Sequence, residues 1–265
     1  MSSDSIFPTP VEIVMEITMS KDRISWLIVE GDGDERLFRS RPFPTPIKIA
    51  PASGWEGVIY VLTNVVQAQV TVVGLIDRDY RDHCACQPSF ANLVLSDLRD
   101  IEVMLFWSPA LQRVIAEKGS PGKLPRQADG SVDLDLIRRT ISATCFGLGK
   151  LRILCNMQTK PILFCGMTHA KFINDFTLTL DEETLIQHLN GRSKGKAYLS
   201  LSDWRAAQQL TWTDSSFNAP EYVCHGHDLM STLAIALRRL WGTHGGTMDG
   251  DDITPLFRIA YTDLD

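Results

Sequence analysis

Three carboxylates stand behind apolar runs in the first third of the chain. Trp26-Leu27-Ile28-Val29 leads straight into Glu30, Gly31 and Asp32, and residues 70–76 lead into Asp77-Arg78-Asp79. A short apolar run that stops at an acidic residue is the pattern of a buried parallel strand delivering a side chain to the carboxyl edge of a sheet, where open α/β folds place their chemistry. Glu30, Asp77 and Asp79 are hard oxygen donors. Mg²⁺ and Mn²⁺ take such ligands while keeping positions for water and phosphate oxygens. A cation held there would counter charge on a phosphoryl group and activate a water, the chemistry of phosphodiester hydrolysis. Alternation along an extended backbone would point Asp77 and Asp79 the same way. Taken singly, each of these residues has a plainer reading as a solvated or helix-capping group, as Asp32 and Asp34 also do. The metal reading rests on three of them at two strand ends.

The elements that must position these residues follow from the pattern around them. Residues 24–29 read as a strand, and Gly33-Asp34-Glu35-Arg36-Leu37-Phe38 opens a helix that Pro42, Pro44 and Pro46 stop. Residues 47–50 form a short strand, Val58, Ile59, Val61, Leu62, Val65 and Val66 mark a helix over residues 54–69, and residues 70–76 form the next strand. This βαβ series implies a parallel sheet with right-handed crossovers. Residues 11–20 carry apolar and acidic positions of ambiguous type. After a polar loop at 80–89, residues 92–95 are strand-like, and Ser96-Asp97-Leu98-Arg99-Asp100-Ile101-Glu102 predicts a capped helix with Glu102 near its start. On that helix Arg99 and Glu102 share a face and suit a surface ion pair.

Glycines, prolines and charges at 119–130 mark a linker. Beyond it, residues 132–145, 185–189, 202–210 and 229–241 read as helices. Residues 151–157 and 161–165 are helix or strand, and 253–261 add one last element. The expected division is an N-terminal extension at 1–20, an α/β domain at 21–120 and a mainly α-helical C-terminal region at 121–265.

Composition sets bounds on function. The chain has 265 residues, 44% hydrophobic and 22% charged, enough for a buried core and too apolar for broad disorder. A net charge of −6 opposes a generic DNA-coating surface but leaves room for a local basic patch. With no run of about 18 apolar residues and no signal-like start, a cytoplasmic location away from membranes is expected. Six cysteines without CxxC spacing read as free thiols, and His83-Cys84-Ala85-Cys86 falls short of a local zinc ligand set.

Val29-Glu30-Gly31-Asp32-Gly33-Asp34, Gly74-Leu75-Ile76-Asp77-Arg78-Asp79-Tyr80 and Ser96-Asp97-Leu98-Arg99-Asp100-Ile101-Glu102 together resemble the TOPRIM domain. More narrowly, they resemble the OLD-like TOPRIM proteins encoded beside ABC-type ATPases in bacterial phage-defence loci, such as the nuclease subunit of the PARIS system. The likeness covers residues 11–118, with a short further match at Cys224-His225-Gly226-His227-Asp228-Leu229-Met230. It implies a Rossmann-like parallel sheet core, with Glu30 as the TOPRIM glutamate and Asp77 and Asp79 as the Mg²⁺- or Mn²⁺-binding pair. It also matches Glu102 to a later acidic ligand, and Asp34 and Asp100 to positions that are acidic there. Gly31 would permit a tight turn at the site.

The resemblance further implies a toxin that cuts RNA, including tRNA, or DNA, restrained by an ATPase partner until phage infection, and it leaves room for a homodimer. The competing expectation is a degenerate TOPRIM module that docks on an ATPase and regulates it. Clustered carboxylates that repel one another favour activity, because a docking module has no physical need of them without metal. No lysine stands near the acidic motifs, so a basic group must come from elsewhere. Lys171 or Arg192-Ser193-Lys194-Gly195-Lys196 would serve, although a solvated basic loop explains them too. His227 and Asp228 suit an acid/base or supporting pair, or a helix-start Asp beside a polar His.

Overall fold

The computed structural model describes residues 8–65, 70–84, 88–244 and 247–262. The chain forms two compact units, one of residues 1–78 and 87–97, the other of residues 79–86 and 98–265. It therefore parts inside the D-x-D motif, between Arg78 and Asp79, rather than near residues 20 and 120.

The first unit is an α/β layer structure. Helix α1 (Pro10–Met19) resolves the ambiguous stretch: Thr9 caps it, Pro10 occupies its first turn, and Glu12 closes a capping box. Strand β1 (Ser25–Val29), helix α2 (Asp32–Arg39), strand β2 (Ile47–Pro51), helix α3 (Trp55–Asn64), strand β3 (Val72–Ile76) and strand β4 (Leu93–Leu95) follow. The four strands are all parallel and lie in the order β2-β1-β3-β4. Because the chain steps from β1 outward to β2 and then back past β1 to β3, its direction reverses between β1 and β3. Right-handed crossovers in opposite directions put α2 and α3 on opposite faces.

The core of this unit joins Ile13 and Ile17 of α1, Ile28 of β1, Val58, Val61 and Leu62 of α3, and Ile76 of β3, all buried. Gly74 sits where α3 crosses β3. A Cβ there would lie 2.7 Å from Val58 Cγ1 and 2.8 Å from Leu62 Cδ1, so only glycine lets the helix come this close. α3 ends at Asn64, short of the expected 69. Val66 and the residues to 69 lie outside the described residues, as do Ala85 and Cys86 of the loop after the D-x-D motif.

The second unit is helical. It holds α4 (Ile101–Trp107), α5 (Ala110–Lys118), α6 (Leu134–Met157), α7 (Glu182–Ser193), α8 (Leu201–Gln208), α9 (Pro220–Val223), α10 (Gly226–Arg238) and α11 (Gly250–Ala260). Short 3₁₀ turns lie at Asp82–Cys84, His169–Lys171 and Ser215–Asn218. α6 absorbs both the stretch expected to end at 145 and the apolar piece at 151–157, because the apolar spacing continues in register through Leu148, Leu151 and Leu154. Residues 161–165 form neither helix nor strand. Cys145, Cys155, Cys165 and Cys224 are free thiols, and of these only Cys165 is exposed. No helix of the described residues is long and apolar enough to cross a membrane.

Candidate active site at the strand ends

In the first unit the sheet brings two of the expected residues together. Glu30 directly follows β1 and Asp77 directly follows β3, and these strands are neighbours. The Asp77 N–H donates to Glu30 Oε1 at 2.7 Å, and the Glu30 carbonyl accepts from the Gly54 N–H at 2.8 Å. Glu30 is thus tied to the end of β3 by its side chain and to the start of α3 by its backbone. Both residues stand at the carboxyl edge where the strand order reverses, the place where open parallel sheets bind ligands. Arg78 is anchored to Ser96: its N–H donates to Ser96 Oγ at 2.9 Å and its Nε to the Ser96 carbonyl at 3.1 Å.

One expectation about this edge is corrected. Gly31 is extended, with φ −138° and ψ 172°, a conformation open to any residue, and a Cβ there would meet its nearest neighbour at 3.8 Å. It is not required for a tight turn. Asp34 accepts the Gly31 N–H at 3.0 Å, so it holds the start of α2.

Asp79 begins the second unit, and alternation does not orient it. β3 stops at Ile76, and Asp79 has a left-handed backbone with φ 47°. That conformation costs about 1–2 kcal/mol outside glycine, less for Asp and Asn, and it persists only when neighbours hold it. Here the Asp79 N–H donates to the Arg99 carbonyl at 2.9 Å, and Arg81 Nη1 lies 3.1 Å from Asp79 Oδ2. Burial raises the Asp79 pKa, against the opposing pull of Arg81, Arg99 and Arg152.

The expected surface pair of Arg99 and Glu102 does not exist. α4 begins at Ile101, so Arg99 precedes it, and Arg99 is wholly buried. Its guanidinium lies 4.4 Å over the Tyr80 ring, and its Nη2 donates to His83 Nδ1 at 3.0 Å. Glu102 instead meets Arg258 of α11, Nη2 to Oε1 at 3.2 Å. The basic groups around Asp79 are therefore arginines. Lys171 is exposed in a 3₁₀ turn, and among the described residues no ion pair joins it to a carboxylate. Arg192 donates to the Cys165 carbonyl, and Lys194 is the left-handed cap of α7.

Asp100 is a structural carboxyl. Its Oδ1 accepts the Val103 N–H and its Oδ2 the Gly226 N–H, both at 2.8 Å, so one side chain caps both α4 and α10. Burial, with the Glu102 charge two residues away, pushes its pKa up to about 8. His225 Nδ1 lies 3.8 Å from Asp100 Oδ2, and burial, aided by Arg152, holds this imidazole well below its ordinary pKa.

The Cys224-His225-Gly226-His227-Asp228 segment, weak as a motif, is where the helical unit is knotted. Gly226 is required by close approach, since a Cβ would lie 2.3 Å from both Asp100 Oδ1 and Glu102 Cβ. Asp228 is not a solvated helix-start residue: it is 0% exposed and accepts two hydrogen bonds from Arg152 and one contact from His169. Burial alone would raise its carboxyl, but Arg152 and His169 outweigh that and hold it far below the usual range. His227 is exposed, and its ring stacks on His225 with centroids 5.5 Å apart and planes at 21°.

Reading the sequence alone missed Arg81, Arg152, His169 and Arg258, and it gave Arg99 a surface role in place of its buried one. Arg152 did leave a trace, a lone charge inside the apolar Leu151-Arg152-Ile153-Leu154, where a buried cation needs a buried partner. Among the described residues no three His, Cys, Asp or Glu side chains converge as a ready-made metal cage. Mg²⁺ is commonly held by one or two carboxylates with waters and substrate phosphates, and the Glu30 and Asp77 donors are of that type. No family model matches the chain, and no curated protein matches it in sequence.

Proposed function

We propose that the protein is a metal-dependent nuclease of the TOPRIM kind, hydrolysing phosphodiester bonds of RNA or DNA. The observation that carries this reading is the meeting of Glu30 and Asp77 at the β1/β3 switch point, linked by the 2.7 Å hydrogen bond from Asp77 N–H to Glu30 Oε1. Such an edge is a ligand site in parallel sheets, and Glu30 and Asp77 are the hard oxygen donors standing on it.

In this reading Glu30 and Asp77 hold Mg²⁺ or Mn²⁺; a role for Asp79 and Glu102 is carried by the sequence resemblance alone. Bound there, the cation would stabilise charge on the phosphoryl group and lower the pKa of a water. The chain's own residues supply the rest. The Asp77 N–H holds the Glu30 carboxylate and the Gly54 N–H holds the Glu30 backbone carbonyl. The Arg99 carbonyl holds Asp79 in its left-handed turn, and Arg81 offers a positive charge beside it. Restraint by an ABC-type ATPase, and service in phage defence, are carried by the sequence resemblance.

The test is Mn²⁺ binding, followed by electron paramagnetic resonance, together with cleavage of total tRNA, single-stranded RNA, plasmid and linear DNA. Stoichiometric Mn²⁺ uptake that Glu30→Gln and Asp77→Asn each abolish, with metal-dependent cutting, supports the reading. A folded protein that neither binds Mn²⁺ nor cuts, alone or with its co-encoded ATPase, overturns it in favour of a docking module.

A further inference from the structure

The helical unit contains a cavity of about 600 Å³ that the proposed hydrolysis does not use. That is within the size range of small-molecule sites. One wall is the stacked pair of imidazoles from His225 and His227. Facing groups include Phe164, whose ring carries the Arg152 guanidinium 4.6 Å above it, and the apolar side chains of Met167 and Ile235. The cavity thus offers flat π surfaces and a partly apolar lining.

Its charges argue against a phosphate trap. Arg152 is already spent on Asp228, Arg238 donates its Nε to the Met248 carbonyl, and Asp249 and Asp251 add negative charge to the lining. The α10 N-terminus has no donors to spare: Gly226 N–H goes to Asp100, His227 N–H to His225 Nδ1 and Asp228 N–H to the His225 carbonyl. A neutral, planar, hydrogen-bonding ring suits this lining better than an anion does. His225 also ties the cavity to the acidic start of α4, through its 3.8 Å approach to Asp100, two residues from Glu102.

We propose that this cavity receives an unpaired nucleobase of the polynucleotide, stacked on His225 and His227. The inference rests on the nuclease reading and deepens it. A base buried in a duplex stack cannot enter such a cavity, so the favoured substrate is a loop, bulge or single strand, in RNA or DNA. Stacking on side-chain rings tolerates any base, so the cavity selects for unpairedness rather than for sequence.

Cys165 lines the cavity and is exposed, which makes it a reporter independent of cutting. In full-length Glu30→Gln protein, the rate of Cys165 alkylation by iodoacetamide is followed by peptide mass spectrometry. It is measured with short unpaired RNA and DNA oligonucleotides and with the same strands annealed. Unpaired strands of either kind are expected to slow alkylation about fivefold or more while duplexes do not, and His227→Ala, at an exposed position, is expected to weaken that protection about tenfold.

An unchanged rate with unpaired strands, equal protection by duplex, or full protection in His227→Ala overturns the proposal. Cleavage scored in parallel on the wild-type protein separates the two readings. Cutting without Cys165 protection removes the cavity inference and leaves the nuclease. Protection without cutting sustains the cavity as a base site and removes the nuclease reading.

Discussion

Arg152 grips Asp228 through two parallel hydrogen bonds, Nε to Oδ2 at 2.9 Å and Nη2 to Oδ1 at 2.8 Å, with Asp228 wholly buried and Arg152 mostly so. Removing one partner of a buried pair leaves an uncompensated charge. Asp228→Asn is therefore expected to lower folding stability by about 3–5 kcal/mol, measured by denaturant unfolding. If Asp228 were chiefly a reacting group, the substitution would lower activity and leave the unfolding midpoint in place.

The same pair predicts a pH dependence. The folded Asp228 pKa lies far below its unfolded value of about 3.9, so the unfolded state takes up the proton first. The stability it contributes is fully present above about pH 5 and falls away as the pH drops below about 4. The stability gap between wild type and Asp228→Asn should be flat from about pH 8 to 5 and narrow in acid. A gap that widens in acid would contradict the assignment.

Gly226→Ala tests the junction of α4 and α10. The added Cβ would lie 2.3 Å from Asp100 Oδ1 and Glu102 Cβ, and neither can retreat without breaking the shared cap. Overpacking of this kind costs about 1–3 kcal/mol, visible as a fall in Tm of several degrees by calorimetry. An unchanged Tm would mean that the two helices do not meet as closely as described.

His83 is expected to remain neutral through the physiological range. Burial, reinforced by the Arg99 charge, brings its pKa down to about 4. Its Nδ1 accepts from Arg99, so Nε2 bears the proton toward the Phe217 carbonyl, 3.4 Å away. Because the unfolded imidazole protonates near pH 6.5, this group costs stability as the pH falls from about 6.5 to 4. Imidazole NMR shifts of His83 should stay flat down to about pH 5, and a midpoint near 6.5 would refute the burial.

The β1 and β3 ends were legible because a parallel strand writes itself as a continuous apolar run, and the residue after the run is by necessity at the edge. Ile28-Val29-Glu30 and Leu75-Ile76-Asp77 therefore located two acidic residues of the sheet edge without any knowledge of the sheet order. The left-handed turn at Asp79 was not legible, since Asp is equally at home in extended backbone, and only the Arg99 carbonyl fixes it. Nor was the double cap by Asp100, because its second helix begins at Gly226, more than a hundred residues later. α6 was underestimated. The helix expected over residues 132–145 runs on through Gly147 and Gly149 to Met157, because the apolar face is carried across them by Cys145, Leu148 and Leu151.

The central claim is that Glu30 and Asp77 hold a catalytic cation at the β1/β3 edge. The most direct measurement is cleavage of unpaired RNA and DNA by the wild type, Glu30→Ala and Asp77→Ala side by side, with Mg²⁺, with Mn²⁺ and with chelator, each protein first shown to be folded. The account predicts cutting by the wild type only, and only with metal. Cutting that persists in either variant, or that is indifferent to chelation, would contradict it.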